Sequence, residues 1–290
     1  MRKCWQVCII PALLLTTAVP AGLALAQEES KELSIELIDP KVLRVCADPR
    51  NMPFSDQQGE GFENKLAELF AQKLGKSLSY VWYPQATGFV RNTLGAHKCD
   101  VIMGFPQGND IVQSTNPYYR TSYALVFKSG NALDGVETLS DPRLKGKHIG
   151  IVAGTPPSNY LAAGGLMGSA KPYPLVIDTR VDSSAQAMIG DLADGVIDAG
   201  VLWGPMAGYY AKRANPPLTV VPLTHEAGSP PLVYRITMGV RFSDQEWKRT
   251  LNRMIQENQP AINEILLAFG VPLLDESNQP IREGPLSKRP

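Results

Sequence analysis

Few of the side chains that could do chemistry in this 290-residue chain stand at the spacings chemistry needs. His97, His148 and His225 lie far apart, with no His-x-x-x-His pair to hold zinc. No Gly-x-Ser-x-Gly elbow, Walker loop or Cys-x-x-Cys-His haem site occurs. Gly59-Glu60-Gly61 lacks the rest of a dinucleotide fingerprint and reads as a turn. Asp191, Asp194 and Asp198 do not follow a calcium-loop pattern. Without a nucleophile beside a base, the residues argue against an enzyme, and they suggest no resident metal or cofactor.

The N-terminus reads as an export signal. Arg2 and Lys3 precede an apolar run from Ile9 to Leu25, and Ala24-Leu25-Ala26 offers a cleavage site before Gln27. A membrane anchor is the rival reading, but Pro11, Pro20 and Gly22 interrupt the run. Residues 1–26 are therefore expected to be a signal peptide and the mature chain to carry no membrane span. About 264 residues remain, enough for two lobes. Charge is balanced overall and no basic stripe appears, which argues against nucleic acid as a partner. Cys4 and Cys8 leave with the signal, so Cys46 and Cys99 form one even pair in an oxidising compartment. Each is expected in a strand of the same lobe, and with no Cys-x-x-Cys and no histidine nearby a disulfide is expected rather than two free thiols or half a metal site.

The elements alternate. A strand at 42–47 leads through a turn-rich loop, Asp48 to Gly61, into a helix whose Leu66, Leu69, Phe70 and Leu74 share a face. Gly75 stands where a helix-ending glycine belongs. In an open parallel sheet such a loop, at the carboxyl end of a strand, faces the ligand crevice. Further strands are expected at 78–83, 100–105, 119–127, 148–153, 175–177, 198–202, 218–223 and 232–240. Short helices are expected at 88–96, through Leu161 and at 206–213. Ala185, Met188, Ile189 and Leu192 mark another. Two closing helices are predicted, one from a capping box at Ser243 and Glu246, the other after Pro260. Breaks near Ser129 and Leu232 imply an α/β fold with a second lobe inserted into the first through a two-strand hinge.

The pieces VLRVCADPRNMPFS, GEGFENKLAELFAQKLG, KCDVIMG, TNPYYRTSYALVFK, LSDPRLKGKHIGIVAGT, DLADGVIDAGVL and VYRITMGV, in this order, resemble the family-3 periplasmic solute-binding proteins. The resemblance implies the two-lobed type II periplasmic binding protein fold and a periplasmic location. Lobe 1 would take 42–128 and 233–274, lobe 2 129–232, with an N-terminal extension at 27–41 and a tail at 275–290. CADPRNMPFS, GEGFENK, GFVRNTLGAHKCDVIMGFP and STNPYYRTSY resemble most the quinoprotein-dehydrogenase-associated branch, the J proteins of methanol oxidation, with the XoxJ type favoured over MxaJ. That likeness implies an accessory protein that assists activation or assembly of a periplasmic, pyrroloquinoline-quinone-dependent methanol dehydrogenase. For the XoxJ type, the enzyme would be lanthanide-dependent. The alternative is a receptor that passes a small organic ligand to an ABC transporter.

Amino-acid-binding relatives carry an Arg after the third strand and an Asp at the end of a second-lobe strand. Here those positions fall near Gly108-Asn109 and on Trp203, so an amino acid is not the expected ligand. The residues expected at the cleft are Phe54, Glu63, Asn64, Phe105, Gly154, Thr155 and Trp203, with the helix after Gly154-Thr155 offering amides to an anion. They suit a planar, weakly charged ligand. They would serve equally to pack the two lobes together with nothing bound.

Overall fold

The structure, a computed structural model, describes residues 36–179 and 181–282. The expected signal peptide, residues 27–35 of the extension and residues 283–290 of the tail lie outside the described residues. The first strand, β1 (Val42–Ala47), ends in a loop that carries the two-residue strands β2 (Arg50–Asn51) and β3 (Ser55–Asp56). Helix α1 (Phe62–Leu74) and β4 (Ser77–Trp82) follow, and β4 pairs in parallel with β1 along its whole length. The expected strand, loop and helix thus open a βαβ unit. Its corner demands glycine, because a Cβ on Gly61 would sit 2.1 Å from the Phe54 carbonyl oxygen. Gly75 ends α1 in the left-handed conformation, as its position predicts.

The chain continues through α2 (Phe89–Asn92), β5 (Val101–Pro106), β6 (Gln113–Ser114) and the ten-residue β7 (Tyr119–Lys128). Next come β8 (Ile149–Val152), α3 (Pro157–Ala163), β9 (Ala170–Tyr173), α4 (Ser184–Asp194), β10 (Ala199–Trp203), α5 (Gly204–Ala211) and β11 (Leu218–Pro222). β12 (Val233–Val240) and α6 (Gln245–Ala268) close the fold. The strand order is β4-β1-β5-β12-β7-β10-β8-β9, with β11 beside β7 and β6 beside β12.

One strand carries both halves of this sheet. Tyr119–Ser122 of β7 run antiparallel to β12, whereas Tyr123–Phe127 run antiparallel to β10. The cores divide accordingly. Leu43, Phe62, Phe70, Trp247 and Ile262 belong to a core between α1, α6 and the first strands. Beyond Tyr123, alternate β7 side chains enter two other cores: Leu125 and Phe127 join Ile149 and Val201, while Ala124 and Val126 join Met188 and Leu202. From Ala124 to Phe127 the β7 side chains therefore belong to cores other than that of the first strands.

Three local expectations need correction. There is no strand at 175–177. β9 lies earlier, and Pro174, which has no N–H to extend the ladder, follows its last residue. The two closing helices are one helix of 24 residues that runs through Pro260. Its N-terminus is not a capping box either. Glu36, 210 positions away, accepts from the Glu246 and Trp247 amides at 2.5 and 2.9 Å.

Cys46 and Cys99 are joined, with their Cα atoms 5.4 Å apart, although Cys99 precedes β5 rather than lying in it. Beside them Asp100, only 1% exposed, accepts from Arg44 and Arg241, and Arg241 also donates to the Cys99 carbonyl oxygen. β1, β5 and the turn into α6 thus meet at one buried carboxylate. Replacing both cysteines by alanine is expected to cost about 4 kcal/mol of stability in urea unfolding, from the freed 53-residue loop. The unreduced mature protein should also show no free thiol when denatured.

Candidate functional site

A cavity of about 660 Å³ opens where the carboxyl ends of the parallel strands meet. The loop after β1 contributes Arg50, Asn51 and Met52, and the loop after β4 contributes Gln85, Ala86 and Thr87. From the other side come Thr155 after β8, the long loop and first turn between residues 174 and 187, and Trp203 at the end of β10. Tyr123, where β7 passes from pairing with β12 to pairing with β10, lines it too. Contacts reach across the gap: Thr179 donates to the Asp48 carboxylate at 3.3 Å, and the Tyr210 hydroxyl donates to the Met52 carbonyl oxygen at 3.4 Å. Asp48 is held for this by the amides of Arg50 and Gln85, at 2.8 and 2.6 Å.

The wall is aromatic at its floor. Trp203 meets Tyr123 edge-on at 5.2 Å and Tyr234 at 5.5 Å, the geometry aromatic rings prefer. Burial raises the pKa of Tyr123, Tyr210 and Tyr234, so their phenols are neutral at physiological pH. The rim is apolar on one side: Leu175, Val176 and Val181 are 57%, 77% and 82% exposed. Asp182 accepts from the next amide, that of Ser183, at 2.7 Å, and Arg50 stands on the opposite lip. Neither occupies the positions where amino-acid-binding relatives carry their anchors.

Of the seven residues expected at the cleft, Thr155 and Trp203 line the cavity. Phe54 packs on Phe62 at 5.2 Å, at the edge of the first core. Asn64 is fully buried and closes the first loop, accepting from the Asp56 and Gly61 amides at 3.0 and 3.1 Å. Phe105 belongs to the cluster around the disulfide, and Gly154 is an exposed turn residue with φ +78°. The helix after Thr155 has no amides free for an anion. Pro156 and Pro157 have none, and those of Ser158 and Asn159 donate to the Thr155 and Pro156 carbonyl oxygens. The loop after β9 was missed because Leu175-Val176-Ile177 read as a strand. The crevice rule, applied to a strand ending at Tyr173, would have found it.

The bacterial extracellular solute-binding proteins, family 3, match residues 43–265. The chain belongs to this family. A crystal structure of the periplasmic binding protein XoxJ from Methylobacterium extorquens AM1 is 45% identical. It covers 81% of this chain and 100% of that one, with a TM-score of 0.70. MxaJ from Methlophaga aminisulfidivorans MPT superposes with a TM-score of 0.69 at 29% identity, over 80% of this chain and 100% of its own. Protein MoxJ of Methylorubrum extorquens is 29% identical over 96% of this chain and 97% of its own length. The fold is thus the two-lobed type II binding-protein fold, in the branch of these J proteins. Among the described residues no group of three His, Cys, Asp or Glu side chains is placed to hold a metal. No described helix is long and apolar enough to cross a membrane.

In this family member Glu63 sits under β5, where a Cβ on Gly104 would meet its Oε1 at 2.2 Å. Burial, with the Asp48 carboxylate adding like charge, pushes the Glu63 carboxyl up to about 8. The folded protein therefore keeps this proton where the unfolded chain has lost it. The associated stability is complete below pH ~4.5 and falls as pH rises to about 8, by roughly 5 kcal/mol. Glu63→Gln should match the parent in urea unfolding near pH 4.5 and exceed it by roughly 4 kcal/mol near pH 8. A constant difference across that range would contradict the assignment.

Proposed function

We propose that this protein is a periplasmic accessory factor of a pyrroloquinoline-quinone-dependent methanol dehydrogenase, acting by direct contact and carrying no catalytic chemistry of its own. The observation that carries this reading is its 45% identity to XoxJ over the whole of that protein's resolved chain. The XoxJ likeness favours a lanthanide-dependent enzyme as the partner. The cleft fits the role: its apolar lip and aromatic floor offer contact area to a partner. Lobe 1 is taken as 42–128 and 233–274 and lobe 2 as 129–232, with the cleft between them the contact surface.

The test is turnover of the purified cognate dehydrogenase with and without the mature protein. A rise in rate that saturates with added protein is expected, and an unchanged rate at excess protein would refute the proposal. A receptor for a small neutral ligand is the second reading, favoured by a cavity volume within the ordinary ligand range. That reading predicts a co-purifying organic molecule in native mass spectrometry.

A further inference from the structure

A two-strand hinge ordinarily lets two lobes rock, because a few backbone torsions can absorb the motion. Here a third segment crosses the same place. After α6 the chain runs back over the hinge and touches, in order, the second lobe, β7 and both hinge strands. Phe269 stacks on Tyr209 of α5, with ring centroids 6.1 Å apart and planes at 17°. Next to it Gly270 and Gly208 bring backbone against backbone: a Cβ on Gly208 would lie 1.7 Å from the Gly270 carbonyl oxygen. The Pro272 carbonyl oxygen accepts from the buried Thr121 hydroxyl at 2.9 Å, and the Leu274 amide donates to the Arg120 carbonyl oxygen at 2.9 Å.

The segment ends on a charge arrangement that needs an explanation. Arg120 and Arg235 stand directly opposite each other on β7 and β12. Like charges in that register repel. Glu276 resolves the conflict, since its Oε2 accepts from Arg120 at 3.4 Å and from Arg235. One tail carboxylate therefore bridges the two strands on which the lobes would turn.

We infer that residues 269–276 form a clasp that fixes the angle between the lobes. Rocking would have to part the Gly208–Gly270 contact and strip Glu276 from at least one arginine. The clasp needs no dehydrogenase, so its test is independent of the proposed function. Spin labels at Gln72→Cys in the first lobe and Lys145→Cys in the second, both exposed positions, report the interlobe distance in the mature full-length chain. The Cys46–Cys99 disulfide leaves no competing thiol among the described residues. Pulsed dipolar spectroscopy should give one narrow distance. Adding Glu276→Gln, or Thr121→Val, should raise a second distance roughly tenfold in population, as losing a charged or buried hydrogen bond implies. Glu276 has a side chain 76% exposed, so that variant should fold. Two populated distances in the parent, or a distribution untouched by Glu276→Gln, would overturn the clasp.

Discussion

The structure depends on a single strand doing two jobs. The four residues from Tyr119 to Ser122 are hydrogen-bonded into the first half of the sheet and the next five into the second half. A backbone strand cannot slip in one half without losing register in the other, because a one-residue shift sends every side chain to the opposite face. That constraint places Tyr123 at the junction, brings Trp203 of β10 directly opposite it, and so builds the floor of the cleft. It also explains why the lobes share one sheet rather than being joined by loops.

The two walls are built differently. The first lobe's wall is stiff: the disulfide, the buried Asp100 and the Asp48 carboxylate hold the loops after β1 and β4 in place. The second lobe's wall is a long loop with exposed Leu175, Val176 and Val181, and Thr179 and Tyr210 reach across the gap. Rigid backing on one side and exposed apolar area on the other suits a surface that receives a partner. A pocket built around one charged solute would spend its polar groups on that solute instead.

Much of the fold was legible because its signals are local. The strand at 42–47, the glycine that ends α1 and the face of Leu66 and Phe70 all follow from spacing within a few residues. The disulfide followed from counting cysteines after export. What was hidden depends on distant partners. Nothing near Ser243 announces that Glu36 caps the last helix, and nothing in GEGFENK announces that Asn64 serves its own loop rather than a ligand. Leu175-Val176-Ile177 misled for a related reason: an apolar run read as a strand, yet tertiary context leaves it in a loop on the cleft lip. Thr155 and Trp203 line the cavity near the ends of β8 and β10, which lie within a residue of the expected strand ends.

Docking of this two-lobed protein onto a periplasmic dehydrogenase is the proposed mode of action. Sedimentation velocity of the mature protein titrated with its purified cognate methanol dehydrogenase measures that contact without relying on turnover. A saturable complex, heavier than either protein alone and weakened when Val176 and Val181 on the cleft lip are changed to aspartate, is the predicted result. Independent sedimentation of the two proteins at tens of micromolar would contradict it.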